Sequence, residues 1–420
     1  MKVYKFGGAS VKSAEGIRNV EHILSMTDVP LFVIISAMGK TTNAMEVVLN
    51  HFMNHQTTEA IDKWAEVESY HLQIASELTE DKLWGFNVLR PIFDEMREKL
   101  QNTYPGEYDQ TYDAIVSYGE LLSTTLISSY LNKVGIENQW LDMRRLILTD
   151  SNFREATVRL EDSQHQLELA ADFSKCRIYI GQGFIGGNKH GQPTTLGREG
   201  SDYSAAVVGN LLQAESVTIW KDVPGILNAD PRIFPNTVLI PELTYYDAVE
   251  LAFSGAQIIH PKTIKPLENK QIPLYVKPFE HPEMPGSVIK GSIAKPIDIP
   301  VLIVRKNLTL VTIRPLDFSF VLEDSLSKMF TLLHKHRLKV SLIQSSAVTI
   351  SVCVDNVRRL SAAIDELGND FRVSYNEGLE LLTIRGTSPQ LIEKVTKGRD
   401  ILMSQHTRRT AKFLMKSICQ

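Results

Sequence analysis

Residues 3–8 read VYKFGG and residues 31–37 read LFVIISA, two short and almost wholly apolar runs that end in Gly or in Ser and Ala. A run without polar alternation, of this length, is expected of a strand buried on both faces in a parallel sheet. Between the two lies SAEGIRNVEHIL (13–24), which has helical spacing. Strand, helix and strand in this order predict a parallel unit whose strand ends, rich in small residues, open toward a ligand.

The same grammar continues outward to about residue 290. Amphipathic helix is expected from about Met45 to Leu100 with one turn near Pro91, and again over residues 111–134. CRIYIG (176–181) and SVTIW (216–220) return to strand patterning, whereas DVPGILNADPRIFPN (222–236) is dense in turn formers and predicts a long structured loop. YYDAVELAFSGA (245–256) is helical, and HPKTIKPLE (260–268) is a turn entering another helix. These features define an α/β domain over residues 1–290 with a largely parallel central sheet.

Composition changes at GSVIKGSIAKPIDIP (286–300), which marks a linker over 291–306. A shorter rhythm follows. LTLVTIRP (308–315), SLSKMFTLLHKHR (325–337), VSLIQSS (340–346), VTISVCVD (348–355), VRRLSAAIDELG (357–368) and FRVSYN (371–376) spell βαββαβ, the ferredoxin-like order, over residues 307–377. LELLTIRG, PQLIEKVTK, ILMSQHT and AKFLMKS begin a second, incomplete copy over 378–420, which VLIVRK (301–306) can complete. Sheets left with open edges favour pairing between copies of the chain.

At 420 residues the chain exceeds one ordinary core, and 43% hydrophobic residues, 22% charged residues and a net charge of -4 describe a globular protein with no call for a nucleic-acid or membrane partner. Met1 leads directly into a strand instead of a signal peptide, so the expected compartment is the cytoplasm. Cys176, Cys353 and Cys419 are few and scattered, which excludes a disulfide framework and a structural zinc site.

The candidate chemistry clusters at the strand ends. In KFGGAS (5–10), Gly7 and Gly8 let backbone N–H groups approach an anion, and Lys5 supplies a mobile charge; the GxxxxGK[ST] spacing of a P-loop is absent. Lys221 and Asp222 follow the strand SVTIW, and Lys262 opens the helix after HP, where Lys262 and Lys265 equally suit a solvated helix start. TTLGREGSDYSAAVVG (194–209) brings Arg198, Glu199, Ser201 and Asp202 to one helix entrance. Arg198 can hold a carboxylate bidentately and Asp202 can orient cations or a metal around a phosphoryl group. On residue types alone, Asp202 has a lesser alternative as a helix cap and Arg198 and Glu199 as a surface ion pair.

Taken together, KFGGAS, ISAMGKTTN, SYGELLS, GQGFIGG, TTLGREGSDYSAA, KDVPGILNADPR, FSGAQIIHPKTI and MPGSVI resemble, in order and over nearly all of the first 290 residues, the aspartate kinases of the amino-acid kinase superfamily. The tail is similar to their paired ACT domains, and with no homoserine dehydrogenase following, the resemblance is to the monofunctional form. It implies an amino-acid kinase fold followed by tandem ACT domains. The implied activity is transfer of the γ-phosphoryl group of ATP, with Mg2+, to the side-chain carboxylate of L-aspartate. That gives 4-phospho-L-aspartate on the way to lysine, threonine and methionine.

The resemblance assigns Lys5, Asp202 and Lys262 to catalysis and Gly7, Gly8, Lys221, Asp222, Arg232 and Lys262 to the nucleotide. Around aspartate it puts Ser36, Thr42, Glu120, Phe184, Arg198 and Ser201, with Glu120 as the anion for the substrate ammonium. The metal ligands are left open. Two other readings keep the same residues: an amino-acid sensor with weak turnover, or a related kinase for another acidic small molecule.

Four positions depart from the commoner pattern: Ala9 for Thr, Glu199 for the Gly of RGGSD, Lys221 for Thr, and Leu227 for a Tyr near the adenosine. In the tail, the loop RPLDFSFVLEDS (314–325) lacks a Gly for close effector approach, and Ser341 stands where lysine-sensing relatives have an Asp. Gln344, Ser345 and Ser346 are the candidate contacts for an amino-acid effector, lysine or threonine, and the ACT pair is expected to form a homodimer or larger homo-oligomer.

Overall fold

The computed structural model describes residues 1–256, 259–293, 297–316 and 323–417. Cys419 and residues 317–322 of the expected effector loop lie outside the described residues. The chain divides into two compact units, the first made of 1–226, 239–249 and 258–294, the second of 227–238, 250–257 and 295–420.

In the first unit the strands are β1 (Lys2–Phe6), β2 (Leu31–Ile35), β3 (Gln139–Leu141), β4 (Leu148–Thr149), β5 (Ile178–Gln182), β6 (Ile185–Asn188), β7 (Pro193–Thr195), β8 (Val217–Lys221), β9 (Glu242–Thr244), β10 (Leu274–Pro278) and β11 (Ser287–Lys290). Eight of them form one sheet in the order β3-β5-β2-β1-β8-β10-β11-β9, parallel at every pairing except β10 with β11. Every residue of β2 and β5 is buried, as their unbroken apolar runs require. Phe6 links the sheet to its cover, stacked on Trp220 at 6.2 Å and edge-on to Phe279.

One face carries a helical layer. Helices Thr41–Met53, Thr57–Leu78 and Trp84–Asn102 cover the expected segment, but Pro91 does not make a turn. It sits inside the third helix on the exposed side, and the residue whose carbonyl it leaves unpaired, Asn87, is itself exposed. The actual breaks are His55, in the left-handed region at φ 59°, and Asp81, whose carboxylate accepts the Leu83 and Trp84 N–H groups. Helix Tyr118–Lys133 lies beneath this layer, buried at nearly every position from Tyr118 to Leu131. Trp64 wedges against Tyr118 and Phe93, edge-on to both rings.

The second unit contains β12 (Val301–Pro315), β13 (Val340–Ser345), β14 (Ile350–Asp355), β15 (Phe371–Arg385), β16 (Ile401–His406) and β17 (Thr410–Lys416) in an antiparallel sheet ordered β13-β14-β12-β15-β17-β16. The part of β12 from Leu308 onward, β14, β13 and the start of β15 take the ferredoxin-like order. Helices Glu323–Lys335 and Arg359–Leu367 supply Met329, Leu333, Leu360 and Leu367 to the core beneath. The two long strands run on past this unit: Val301–Arg305 pairs with Leu381–Arg385, and a register shift around Asn307, at φ 59°, separates the halves. No helix among the described residues is long and apolar enough to cross a membrane.

Candidate functional site

Parallel register determines where the site forms. Phe6 faces Ile35 and Trp220, and Ile35 faces Gln182, so β5, β2, β1 and β8 end side by side and their following loops leave from one edge. Backbone bonds tie these loops together: Ser36 N–H donates to Phe6, Gly39 N–H to Gly8 at 2.9 Å, and Gly183 N–H to Ile35 at 2.9 Å. Gly8 is pressed so closely on the β2 loop that a Cβ there would lie 2.5 Å from the Ala37 carbonyl oxygen. Gly8→Ala is therefore expected to spread the two loops and lower kcat/KM by about a hundredfold with the fold retained, measurable by steady-state kinetics beside circular dichroism.

At this edge Lys5 and Lys221 converge on one carboxylate. The Lys5 ammonium lies 2.6 Å from one oxygen of Asp202 and the Lys221 ammonium 3.5 Å from the other. Lys5 and Asp202 are buried, and Lys221 is half-buried. Burial alone would raise the Asp202 pKa, but the two lysines outweigh it and hold the carboxyl below its ordinary range. Asp202 occupies the third position of helix Gly200–Leu211, so it is not the cap, and it does not stand as a surface group. Two cations share one anion beside Gly7, where a Cβ would lie 3.5 Å from the Lys5 ammonium, so the group carries net positive charge toward an incoming phosphate chain.

Glu120 lies deeper, near the start of helix Tyr118–Lys133. One carboxylate oxygen accepts from the Ala37 N–H at 3.4 Å, and the other, fully buried, has no partner. Burial, only partly offset by that bond, pushes its pKa up to about 8. A buried acceptor oxygen without a donor points to a cationic ligand group. Ser36 borders it, its carbonyl accepting the Ser123 hydroxyl at 2.8 Å, and Thr42 is half-buried at the start of helix Thr41–Met53.

The remaining substrate candidates come from the loops around β5 to β7. Phe184 holds φ 69°, an unusual state for a bulky residue, fixed by its N–H on the Ser204 hydroxyl and by its carbonyl under the Leu196 N–H. Ser201 packs over Gly183, where a Cβ would meet it at 2.5 Å. Arg198 is exposed beside Glu199. Glu199 does not pair with it: the carboxylate accepts the His260 backbone N–H at 3.0 Å.

Two expected nucleotide residues make contacts of their own. The Lys262 ammonium donates to the Leu196 carbonyl at 2.9 Å and lies 4.6 Å from the centre of the Tyr203 ring; its pKa is lowered, chiefly by burial. Arg232 belongs to the second unit, where it forks onto Asp230 with bonds of 2.7 and 3.0 Å. Asp222 is exposed at the end of β8. Among the described residues no three His, Cys, Asp or Glu side chains form a metal cage. The donors at this edge are single carboxylates, a set that fits Mg2+ carried on phosphate oxygens and water.

Sequence reasoning passed over Asp113 and Tyr70. Asp113 is fully buried and accepts the Thr195 N–H and hydroxyl and the Arg154 N–H, anchoring the strand that leads to Arg198. Burial raises its pKa and these bonds oppose the rise. The Tyr70 hydroxyl donates to the Lys12 carbonyl at 2.8 Å and abuts Gly39, bracing the β1 and β2 loops together.

Comparison with known proteins agrees with this geometry. Residues 1–278 match the profile of the amino acid kinase family. Aspartokinase 2 of Arabidopsis thaliana is 33% identical over 391 residues, covering 87% of this chain and 69% of that protein. Lysine-sensitive aspartokinase 3 of Escherichia coli is 31% identical over 401 residues, covering 91% and 86%. Among solved structures, aspartokinase III of E. coli in complex with aspartate and ADP superimposes with a TM-score of 0.83 at 27% identity, covering 99% of this chain and 96% of that one.

Proposed function

Since the chain belongs to the amino acid kinase family, and within it to the aspartokinases, it phosphorylates aspartate at the expense of ATP, and we propose that it does so with the residues gathered at the end of β5, β2, β1 and β8. The observation that carries the assignment is the Lys5–Asp202–Lys221 group beside Gly7 and Gly8, with Lys5 and Asp202 buried.

In this reading Glu120 receives the aspartate ammonium and Arg198 its α-carboxylate, with Ser36, Thr42, Phe184 and Ser201 completing the pocket. The β-carboxylate is already ionised and nucleophilic at neutral pH, so no general base is needed. Lys5, Lys221 and the N–H groups of Gly7 and Gly8 hold the phosphates and stabilise charge as the phosphoryl group passes across. Asp202 keeps the two ammonium groups in register while the site is empty. Asp202 and Asp222 are the carboxylates that would hold Mg2+, which supplies further positive charge on the phosphates. Lys262 serves the nucleotide from the flank of the Arg198 loop.

ADP release coupled to a reporter enzyme, with the acyl phosphate trapped as its hydroxamate, tests this assignment. Product should depend on L-aspartate and be absent with N-acetylaspartate, which lacks the ammonium that Glu120 would hold. Equal use of both would sink the role given to Glu120, and binding without product would favour a sensor.

We read the second unit as tandem ACT domains, the second completed by residues 301–306. The crossing of β12 and β15 supports it: each long strand serves one four-stranded order on either side of its register shift. The open edges β13 and β16 suit pairing with a second copy of the chain. As for the effector, Arg305 donates to the Ser341 hydroxyl at 2.6 Å and pairs with Asp355 at 2.6 Å, so a guanidinium already stands where a cationic side chain would have to enter. The Ser346 hydroxyl is engaged with Thr349, while Gln344 and Ser345 are exposed. Millimolar lysine is accordingly expected to change the rate by less than about twofold, because two like charges in contact repel. A lysine and threonine titration of the coupled assay checks this, and strong lysine inhibition would refute it.

A further inference from the structure

We infer that Glu199 is a positioning residue whose carboxylate latches the Arg198 loop to the start of helix Pro261–Lys270. The inference rests on the role proposed above for Arg198. Two bonds cross between the segments, both donated from the helix side and accepted by the Arg198 loop. Glu199 accepts the His260 N–H at 3.0 Å, and the Lys262 ammonium donates to the Leu196 carbonyl at 2.9 Å. His260 is the cap of that helix, its Nδ1 accepting the Lys262 N–H at 3.1 Å, so both bonds end on one rigid turn. Arg198 stands between Leu196 and Glu199, the two residues tied down.

The backbone makes the case specific to this side chain. Glu199 adopts φ 54° and ψ 31°, a left-handed conformation that glycine reaches freely and an L residue reaches under strain. A glycine here would turn the loop as well and would leave the His260 N–H without this acceptor. The side chain therefore adds a contact at the expense of local strain, and its negative charge sits favourably at a helix N-terminus. Its effect is exerted through Arg198, so it belongs with aspartate affinity and not with the phosphoryl step.

The test compares Glu199→Ala, Glu199→Gly and Glu199→Gln by steady-state kinetics and by amide hydrogen exchange across residues 259–264. The Ala and Gly variants should raise the aspartate KM about tenfold with kcat within about threefold, and should speed exchange at the His260 amide. Gln keeps an acceptor oxygen at the same reach, so it should restore both readouts to within about twofold of the native protein. The Gly variant carries no backbone strain and covers the case in which Ala fails to fold. A native aspartate KM in the Gly variant, or a Gln variant as impaired as Ala, would overturn the proposal. Absence of aspartyl phosphate formation by the native protein would instead overturn the functional reading, with the exchange measurement still deciding whether the latch exists.

Discussion

Asp202→Asn is expected to lower kcat by about 10²- to 10³-fold and to lower the thermal midpoint as well. Both effects come from one geometry. Asp202 is the shared anion of Lys5 and Lys221, and with it gone two ammonium groups face each other without the carboxylate between them. Breaking a buried pair from one side costs on the order of 3–5 kcal/mol, most of it the unpaired charge left behind. The double variant Lys5→Met with Asp202→Asn removes part of that charge, so it should recover much of the stability and none of the activity.

The pH dependence has a definite sign. Because the folded pKa of Asp202 is held below the ordinary 3.8, its contribution to stability is complete above that value and is lost as pH falls through the depressed one. The Asn variant should therefore show a flatter acid limb in a plot of stability against pH. A folded Asp202→Asn protein with kcat within tenfold of native would remove Asp202 from the mechanism.

What could be read from sequence follows from how local each cause is. Strand ends rich in glycine, each carrying a lysine or an aspartate, already indicate a ligand edge, because parallel strands in register must finish together. Lys5 and Lys221 were legible on that ground, whereas Asp202, inside a helix start, was assigned to catalysis by the resemblance. Glu120 was not legible, since helix Tyr118–Lys133 is buried all round and shows no amphipathic stripe to mark one residue as special; only the resemblance of SYGE to a known motif singled it out. Asp113 illustrates the limit more sharply. In DQTYDAIV it passes for a solvated helix residue, and the N–H groups it satisfies belong to Arg154 and Thr195, 41 and 82 residues further on.

Punctuation residues can lie inside an element. Pro91 suggested a turn and lies in a continuous helix, because its missing donor falls on the solvent side. The changes of rhythm near Asn307 and Gly378 fall inside the continuous strands β12 and β15, each with a positive φ there, and Asn307 lies at the register shift. In each case the local signal was genuine, but it recorded a backbone irregularity inside an element, and what keeps the element going is tertiary.

Glu120→Gln is expected to raise the aspartate KM by about a hundredfold or more and to abolish its pH dependence between pH 6 and 8.5, since a charged hydrogen bond to a buried ammonium is replaced by a neutral one. With its pKa pushed up to about 8, the empty site holds Glu120 mostly protonated at neutral pH. An ammonium ligand pulls the proton off, so aspartate binding at pH 7 should release a proton, and the apparent affinity should be about tenfold below its value above pH 8. The native aspartate KM should accordingly fall as pH rises toward 8 and level off beyond it. Stability runs the other way. The folded protein keeps a proton that the unfolded chain gives up near 4.5, so this group favours folding less and less as pH climbs from about 4.5 to about 8. Calorimetry of aspartate binding in buffers of different ionisation enthalpy measures the proton directly. A KM that is flat from pH 6 to 8.5 in the native protein, or a Gln variant that binds aspartate normally, would mean that the unpartnered oxygen of Glu120 does not face the substrate ammonium.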